Sequence, residues 1–150
     1  MYPQLFLPAS VNSEQNYAGD LLLPSARIIV QTIKTVFPIC RVFRESEPSA
    51  EQVAKDGRDF TNMVIFCTNA ADKVTFRKPV EADFLHSGAR EMFLLPQHEV
   101  DEAVFAEIES DGGILSRNDT ERFKGWQQKS ALGHWAVMRT VLPAKVWENW

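Results

Sequence analysis

The chain has 150 residues, of which 45 % are hydrophobic and 24 % charged, and its formal net charge is -4. That length fits one domain, and the apolar share excludes a mostly disordered chain. The mild acidic balance excludes the basic face on which nucleic-acid binding ordinarily depends, so no nucleic-acid partner is expected.

Residues 1–15 show neither helical nor strand periodicity and read as an irregular lead-in. They lack a basic start, and Pro3 and Pro8 interrupt the short apolar stretch, so they do not read as a signal peptide. No run approaches the ~18 apolar residues that a membrane-crossing helix requires. The expectation is a chain without a membrane segment, located inside the cell and in the cytoplasm; a longer parent with an anchor elsewhere is compatible with it.

Asn16-Tyr-Ala-Gly-Asp20 reads as the end of a strand meeting a turn, with Gly19 as the flexible point. From Ser25 to Phe37 the apolar positions Ala26, Ile29, Val30, Ile33, Val36 and Phe37 recur at helical spacing. Pro24 suits the first turn of that helix and Pro38 stops it. Cys40–Arg44 alternates and reads as a strand near a sheet edge. Met63–Cys67 is apolar throughout and rich in branched residues, as in a strand buried on both faces. The charged stretch 46–61 between them reads as a long surface connection.

Beyond Pro79 the pattern is helical. Residues 80–95 hold one or two short helices interrupted near Gly88, and 99–111 place Val100, Val104, Phe105 and Ile108 on one face. The longest helix is expected over about 120–142, opened by a capping box at Asn118-Asp-Thr-Glu121. Its stripe of Ala131, Trp135, Met138 and Leu142 is expected to dock it on the body of the protein. Cys40 and Cys67 lie in apolar runs and read as buried reduced thiols, which points to a reducing compartment.

Chemical motifs are few. The sequence contains no glycine-rich dinucleotide or phosphate loop, no nucleophile elbow and no paired-histidine metalloprotease motif. Gly112-Gly113 precedes no helix start that would hold a phosphate. On a helix His98, Asp101 and Glu102 would share one face and reach one metal ion, although a solvated acidic face explains the same spacing better. His86 and His134 have no identifiable partner carboxylate, so both read as packed or exposed side chains rather than general bases. Trp126 and Trp135 read as docking residues, while Trp147 and Trp150 would mark a partner surface if exposed. Asn118-Asp-Thr120 is formally a glycosylation sequon and reads as a helix cap. No catalytic, cofactor-binding or metal-binding residue is therefore assigned.

Several stretches taken in order carry a resemblance. Asn16-Tyr-Ala-Gly-Asp20, Val36-Phe-Pro38, Cys40–Glu45, Asn62–Thr68 and Phe76-Arg-Lys-Pro79 are similar to the C-terminal half of spermidine/spermine synthase-like proteins of fungal type. Leu94-Leu-Pro-Gln-His-Glu-Val100 and Ser130-Ala-Leu-Gly-His-Trp135 look like their extended ends, so the likeness covers about residues 16–150.

The resemblance implies an α/β fold: the C-terminal part of a Rossmann-like S-adenosylmethionine-dependent methyltransferase sheet over 16–78, followed by a helical extension over 79–150. Asn16–Ala18 would end the fifth strand, and Cys40–Arg44 with Met63–Cys67 would form the closing antiparallel hairpin, its second strand inserted centrally. It also implies polyamine biosynthesis by aminopropyl transfer from decarboxylated S-adenosylmethionine. The nucleotide-binding half of the family has no counterpart here, so the chain alone is expected to bind no cofactor and to be inactive. The Tyr/Pro/Gly-rich segment that lines the amine pocket is replaced by the charged stretch Arg44–Thr61. Family members run an apolar strand into Asn16, whereas this chain has Ser13-Glu-Gln15, so residues 1–15 are read as an incomplete gene model or an alternative start. The alternative is an interaction module that associates with itself or a partner through an exposed sheet edge.

Overall fold

The computed structural model describes residues 13–106, 113–141 and 143–148. Strand β1 (Ser13–Asp20) leads into helix α1 (Pro24–Lys34), strand β2 (Ile39–Arg44), helix α2 (Ala50–Asp56) and strand β3 (Phe60–Thr68). Short helices α3 (Glu81–Phe84) and α4 (Gly88–Phe93) follow, then the two-residue strand β4 (His98–Glu99) and a 3-10 turn (Glu102–Phe105). Helices α5 (Thr120–Val141) and α6 (Ala144–Trp147) complete the described residues.

The four strands form one sheet in the order β1-β3-β2-β4, every neighbouring pair antiparallel. β1 and β2 therefore run parallel to each other with β3 inserted between them. The apolar run of β3 accounts for its central place. Met63, Ile65 and Cys67 point to one face and are buried, while Val64 and Phe66 point to the other and are half-buried.

On the first face lies α1. Pro24 occupies its first turn, Lys34 its last, and Ala26, Ile28 and Val30 are buried. Ala26 and Val30, with Leu21, Val42 and Phe105, close one core against the sheet. On the second face Phe43, Phe66 and Phe76 meet edge to face, with centroids 5.0–6.0 Å apart. Arg41 extends over Phe43 and Phe76, its guanidinium carbon 4.8 and 5.5 Å from the two ring centroids.

Several expectations change in detail. β1 begins at Ser13, inside the stretch read as irregular; residues 1–12 lie outside the described part. The helix over 25–37 stops at Lys34, because Thr35, Val36 and Phe37 close onto Gln31, Thr32 and Ile33 carbonyls as a tightened last turn. β2 is not left as an open edge along its whole length, since Phe43 pairs with Glu99 and Arg44 with His98. The connection over 46–61 contains α2. Of the helix expected over 99–111, Glu102–Phe105 form a 3-10 turn, and residues 107–112 lie outside the described part.

The thiol expectation is overturned: Cys40 and Cys67 form a disulfide. They are direct partners in the β2–β3 register, and facing side chains of antiparallel strands come close enough to bond. The inference of a reducing compartment falls with it. No helix among the described residues is long and apolar enough to cross a membrane.

The docking face of α5 also differs from the expected stripe. Among the described side-chain positions of α5, Gly133 is the buried one, because its missing side chain lets the helix approach the Phe60 ring: an added Cβ would lie 3.2 Å from Phe60 Cδ2. Trp135, two residues on, points away and stays exposed. Leu142 lies outside the described residues.

Candidate functional site

Ligands of α/β sheets gather outside the carboxyl ends of the strands. Here β1 and β2 end on the same side, at Asp20 and Arg44, next to the start of β3. Gly19 admits this geometry at β1, because the Tyr17 ring lies where a Cβ would stand, 2.5–2.6 Å from it. Tyr17 Oη in turn donates to Ser25 Oγ at 3.4 Å, tying β1 to the first turn of α1.

Three charged side chains converge at this end. Arg44 donates from Nη1 to Asp59 Oδ2 (2.9 Å) and from Nη2 to Asp59 Oδ1 (2.6 Å). Asp20 Oδ1 accepts from the Leu22 amide at 3.0 Å and from the Asp59 amide at 2.9 Å. The Leu21 amide donates to Asp59 O at 3.0 Å. Arg44 and Asp59 retain only 9 % and 15 % of their side-chain exposure, so this pair is shielded from solvent and bidentate. Arg44 Nε is buried without a hydrogen-bond partner among the described residues. Beside them His134 of α5 tilts against Phe60, with ring centroids 5.6 Å apart.

A second polar region lies at the opposite edge of the sheet, in a cleft of about 380 Å³ lined by Lys34, Cys40, Arg41, Lys73, Glu99 and Phe105 among others. Arg41 donates from Nε and Nη2 to the Glu99 carboxylate (2.8 and 2.6 Å) and from Nη1 to Val74 O (2.8 Å). These bonds hold the Glu99 carboxyl below the usual carboxylate range and raise Arg41. Lys34 pairs with Glu102, and Gln31 donates to Phe105 O. The charges in this cleft neutralise one another. It fastens β4 and the 3-10 turn to β2 and α1.

The residues weighed for metal binding do not meet. His98 Nδ1 lies 3.9 Å from Glu47, Asp101 caps the 3-10 turn by accepting from the Ala103 amide, and Glu102 faces Lys34. Among the described residues no group of three potential ligands could hold a metal ion. His86 sits in the left-handed turn between α3 and α4, with φ 57° after Leu85 at 49°. Trp126 packs on Phe123 and Trp135 on Trp147; Trp150 lies outside the described residues. Asp119 precedes α5 and accepts from the Ser116 amide at 2.6 Å, which turns the chain into the helix. The Asp20–Asp59–Arg44 network was not anticipated. Gly19-Asp20 at a strand end was its one visible signal, because the partners lie 15 and 39 residues from one another along the chain.

The chain is 46 % identical over 143 residues to a protein named N-terminal histidine N-methyltransferase from Emericella nidulans. The likeness covers 90 % of this chain and 25 % of that protein, so the chain spans about a quarter of its relative's length. No family model matches the chain, and no solved structure matches it.

This finding corrects the functional expectation. The relative is named for methylation of histidine, which overturns the assignment to the spermidine synthase group, to polyamine biosynthesis and to aminopropyl transfer. Decarboxylated S-adenosylmethionine falls as co-substrate with it. What survives of the fold expectation is the coarser statement: a mixed α/β protein with an antiparallel four-stranded sheet, related to a methyltransferase.

Proposed function

We propose that this chain is the part of a protein N-terminal histidine N-methyltransferase that closes one edge of the catalytic sheet. The 46 % identity over 143 residues carries this reading. The order β1-β3-β2, an antiparallel strand between two parallel ones, supports placing residues 16–78 as the last part of a Rossmann-like methyltransferase sheet. Residues 79–150 are its helical extension. β1 is paired along one edge by β3, and its other edge has no strand partner among the described residues. That edge is where the remaining strands of the enzyme would join.

A methyltransferase of this kind implies S-adenosylmethionine as methyl donor. Open backbone N–H groups at a strand-to-helix turn are one way to hold the carboxylate end of such a group. At the turn from β1 into α1 the Leu22 amide is held by the Asp20 carboxylate, the Leu23 amide by Asp20 O, and Pro24 has none. This turn therefore offers the donor no open amide. What the residues here do is fix the carboxyl ends of β1 and β2 to the start of β3, through Asp20, Asp59 and Arg44, as one rigid floor beside which a reaction centre on neighbouring strands would sit.

The test is a chimera of the Emericella nidulans enzyme in which its matching 143-residue stretch is replaced by this chain. It is offered S-adenosylmethionine and a peptide beginning with histidine, and the product is read by mass. The peptide should gain one methyl group, and an otherwise identical peptide beginning with alanine should gain none. A chimera that melts cooperatively yet leaves the histidine peptide unmodified overturns the proposal.

A further inference from the structure

We propose that Cys40 and Cys67 form a thiol–disulfide couple that is reduced from the cleft side and sets how firmly the β2–β4 edge is held. Three observations place it there. The two residues face each other across the β2–β3 register, so the bond ties the central strand to its neighbour. Their surroundings are unequal: Cys67 is fully buried in the core beneath α1, whereas Cys40 is half-buried and lines the cleft. Finally, Cys40 Sγ lies 3.3 Å from Phe37 O. A disulfide sulfur carries no proton to donate, so this contact becomes a hydrogen bond only once Cys40 is a thiol. The fold thus holds an acceptor ready for the reduced form.

The chemistry is ordinary exchange with a small thiol such as glutathione. A thiolate attacks Sγ of Cys40, the less buried of the two residues, forming a mixed disulfide as the Sγ–Sγ bond breaks. Cys67 leaves as the thiolate and takes a proton. A second thiolate then attacks the sulfur of the small molecule, releasing Cys40, which is protonated, and the small-molecule disulfide. Two thiols supply the two electrons.

Once the bond is broken, two thiols need van der Waals separation where a covalent contact stood. Cys67 is fully buried in the core that also holds Met63, Ile65 and Val30, and interiors are close-packed, so the less buried Cys40 side gives. It moves toward Phe37 O and the cleft, carrying strain into the neighbouring Arg41 and Val42. The amide of Val100, which donates to Val42 O at 2.9 Å, reports that edge directly.

The experiment equilibrates the 150-residue chain in glutathione buffers of graded reduced-to-oxidised ratio, without denaturant, and quenches with an alkylating reagent for mass analysis. Both cysteines should become alkylated together across that series. Glutathione should be trapped on Cys40 in a Cys67→Ser variant and excluded from Cys67 in a Cys40→Ser variant. Hydrogen exchange at the Val100 amide should accelerate about tenfold or more in the reduced chain, while amides of α5 change little. A pair that stays bonded in excess reduced glutathione overturns the proposal, as does one that never bonds under oxidising buffer. Equal trapping on both single variants, or unchanged exchange at Val100, overturns it too.

Discussion

Helix α5 offers the sharpest check on how the helical extension is seated, because it contains two glycines in opposite surroundings. At Gly125 an added Cβ would meet nothing within 4 Å, whereas at Gly133 it would stand 3.2 Å from Phe60 Cδ2 and 3.8 Å from Cγ. Glycine in a helix interior is about 0.8–1.0 kcal/mol less favourable than alanine. Gly125→Ala should therefore gain about 1 kcal/mol, which in a chain of this size raises the melting temperature by about 2–4 °C. Gly133→Ala starts from the same propensity gain but must push the Phe60 ring away by a few tenths of an ångström, against its contact with His134 at 5.6 Å. The two effects oppose, and the variant should melt near the wild type. Gly133→Leu has no such balance and should lose about 1–3 kcal/mol by overpacking. Thermal melts followed by circular dichroism read all three. If Gly133→Ala gains as much as Gly125→Ala, or Gly133→Leu is neutral, α5 does not sit on Phe60 and the seating described here is wrong.

Three further outcomes are expected. Arg44→Gln leaves the Asp59 carboxylate without its bidentate partner at a shielded position and should cost about 3 kcal/mol, read as a lowered urea midpoint, with partial recovery in the Arg44→Gln, Asp59→Asn double variant. At the cleft, Glu99→Gln should cost under about 1 kcal/mol, because Glu99 is well exposed; Arg41→Met should cost more, about 1–2 kcal/mol, since it also loses the bond to Val74 O and its place over two rings. Asp83, Glu99 and Asp119 are all held below the usual carboxylate range, by the Arg77 guanidinium, the Arg41 guanidinium and the Ser116 amide respectively. Their folded values lie below their unfolded ones, so the stability they contribute is present above about pH 4 and lost as pH falls through the folded values. Melting temperature should stay flat from neutral to mildly acid pH and fall below that. A fall that begins near pH 6 would assign acid sensitivity to other groups, and Asp83→Asn should flatten part of the acid limb.

The parts of the fold that were legible in the sequence are those where one local signal settles the structure. Pro24 and the spacing of Ala26 and Val30 mark α1, and the unbroken apolar run of Met63–Cys67 marks a central strand. What escaped depends on tertiary contact. The outward turn of Trp135 follows from Gly133, two residues before it and so on the opposite side of the helix, being the close approach to Phe60, and a count of apolar periodicity passes over a glycine. The bond between Cys40 and Cys67 follows from a register that places them opposite each other; composition around each thiol suggested only burial. The Asp20–Asp59–Arg44 network joins three strand ends, and Gly19-Asp20 alone hints at it, because the partners lie 15 and 39 residues apart along the chain.

The functional misreading has a different origin. Aminopropyl and methyl transfer both begin from a sulfonium carbon and can share one fold, so a likeness in sheet and helix pattern identifies a scaffold before it identifies a reaction. The choice between them rests on side chains that touch the donor and the accepting nitrogen. At the polar end of this sheet the Asp20, Asp59 and Arg44 side chains bond to one another or to nearby backbone, and at the cleft Arg41, Glu99, Lys34 and Glu102 pair across strands and helix. Groups committed in this way shape a site without selecting its chemistry. A resemblance read through such residues is blind to the reaction, and identity across 143 residues with a protein of named activity discriminates where the motif pattern could not. The same argument predicts that exchanging this stretch between two such enzymes of different activity would move stability and leave the transferred group unchanged. A chimera that acquired the donor preference of its inserted segment would show that these residues reach the reaction centre after all.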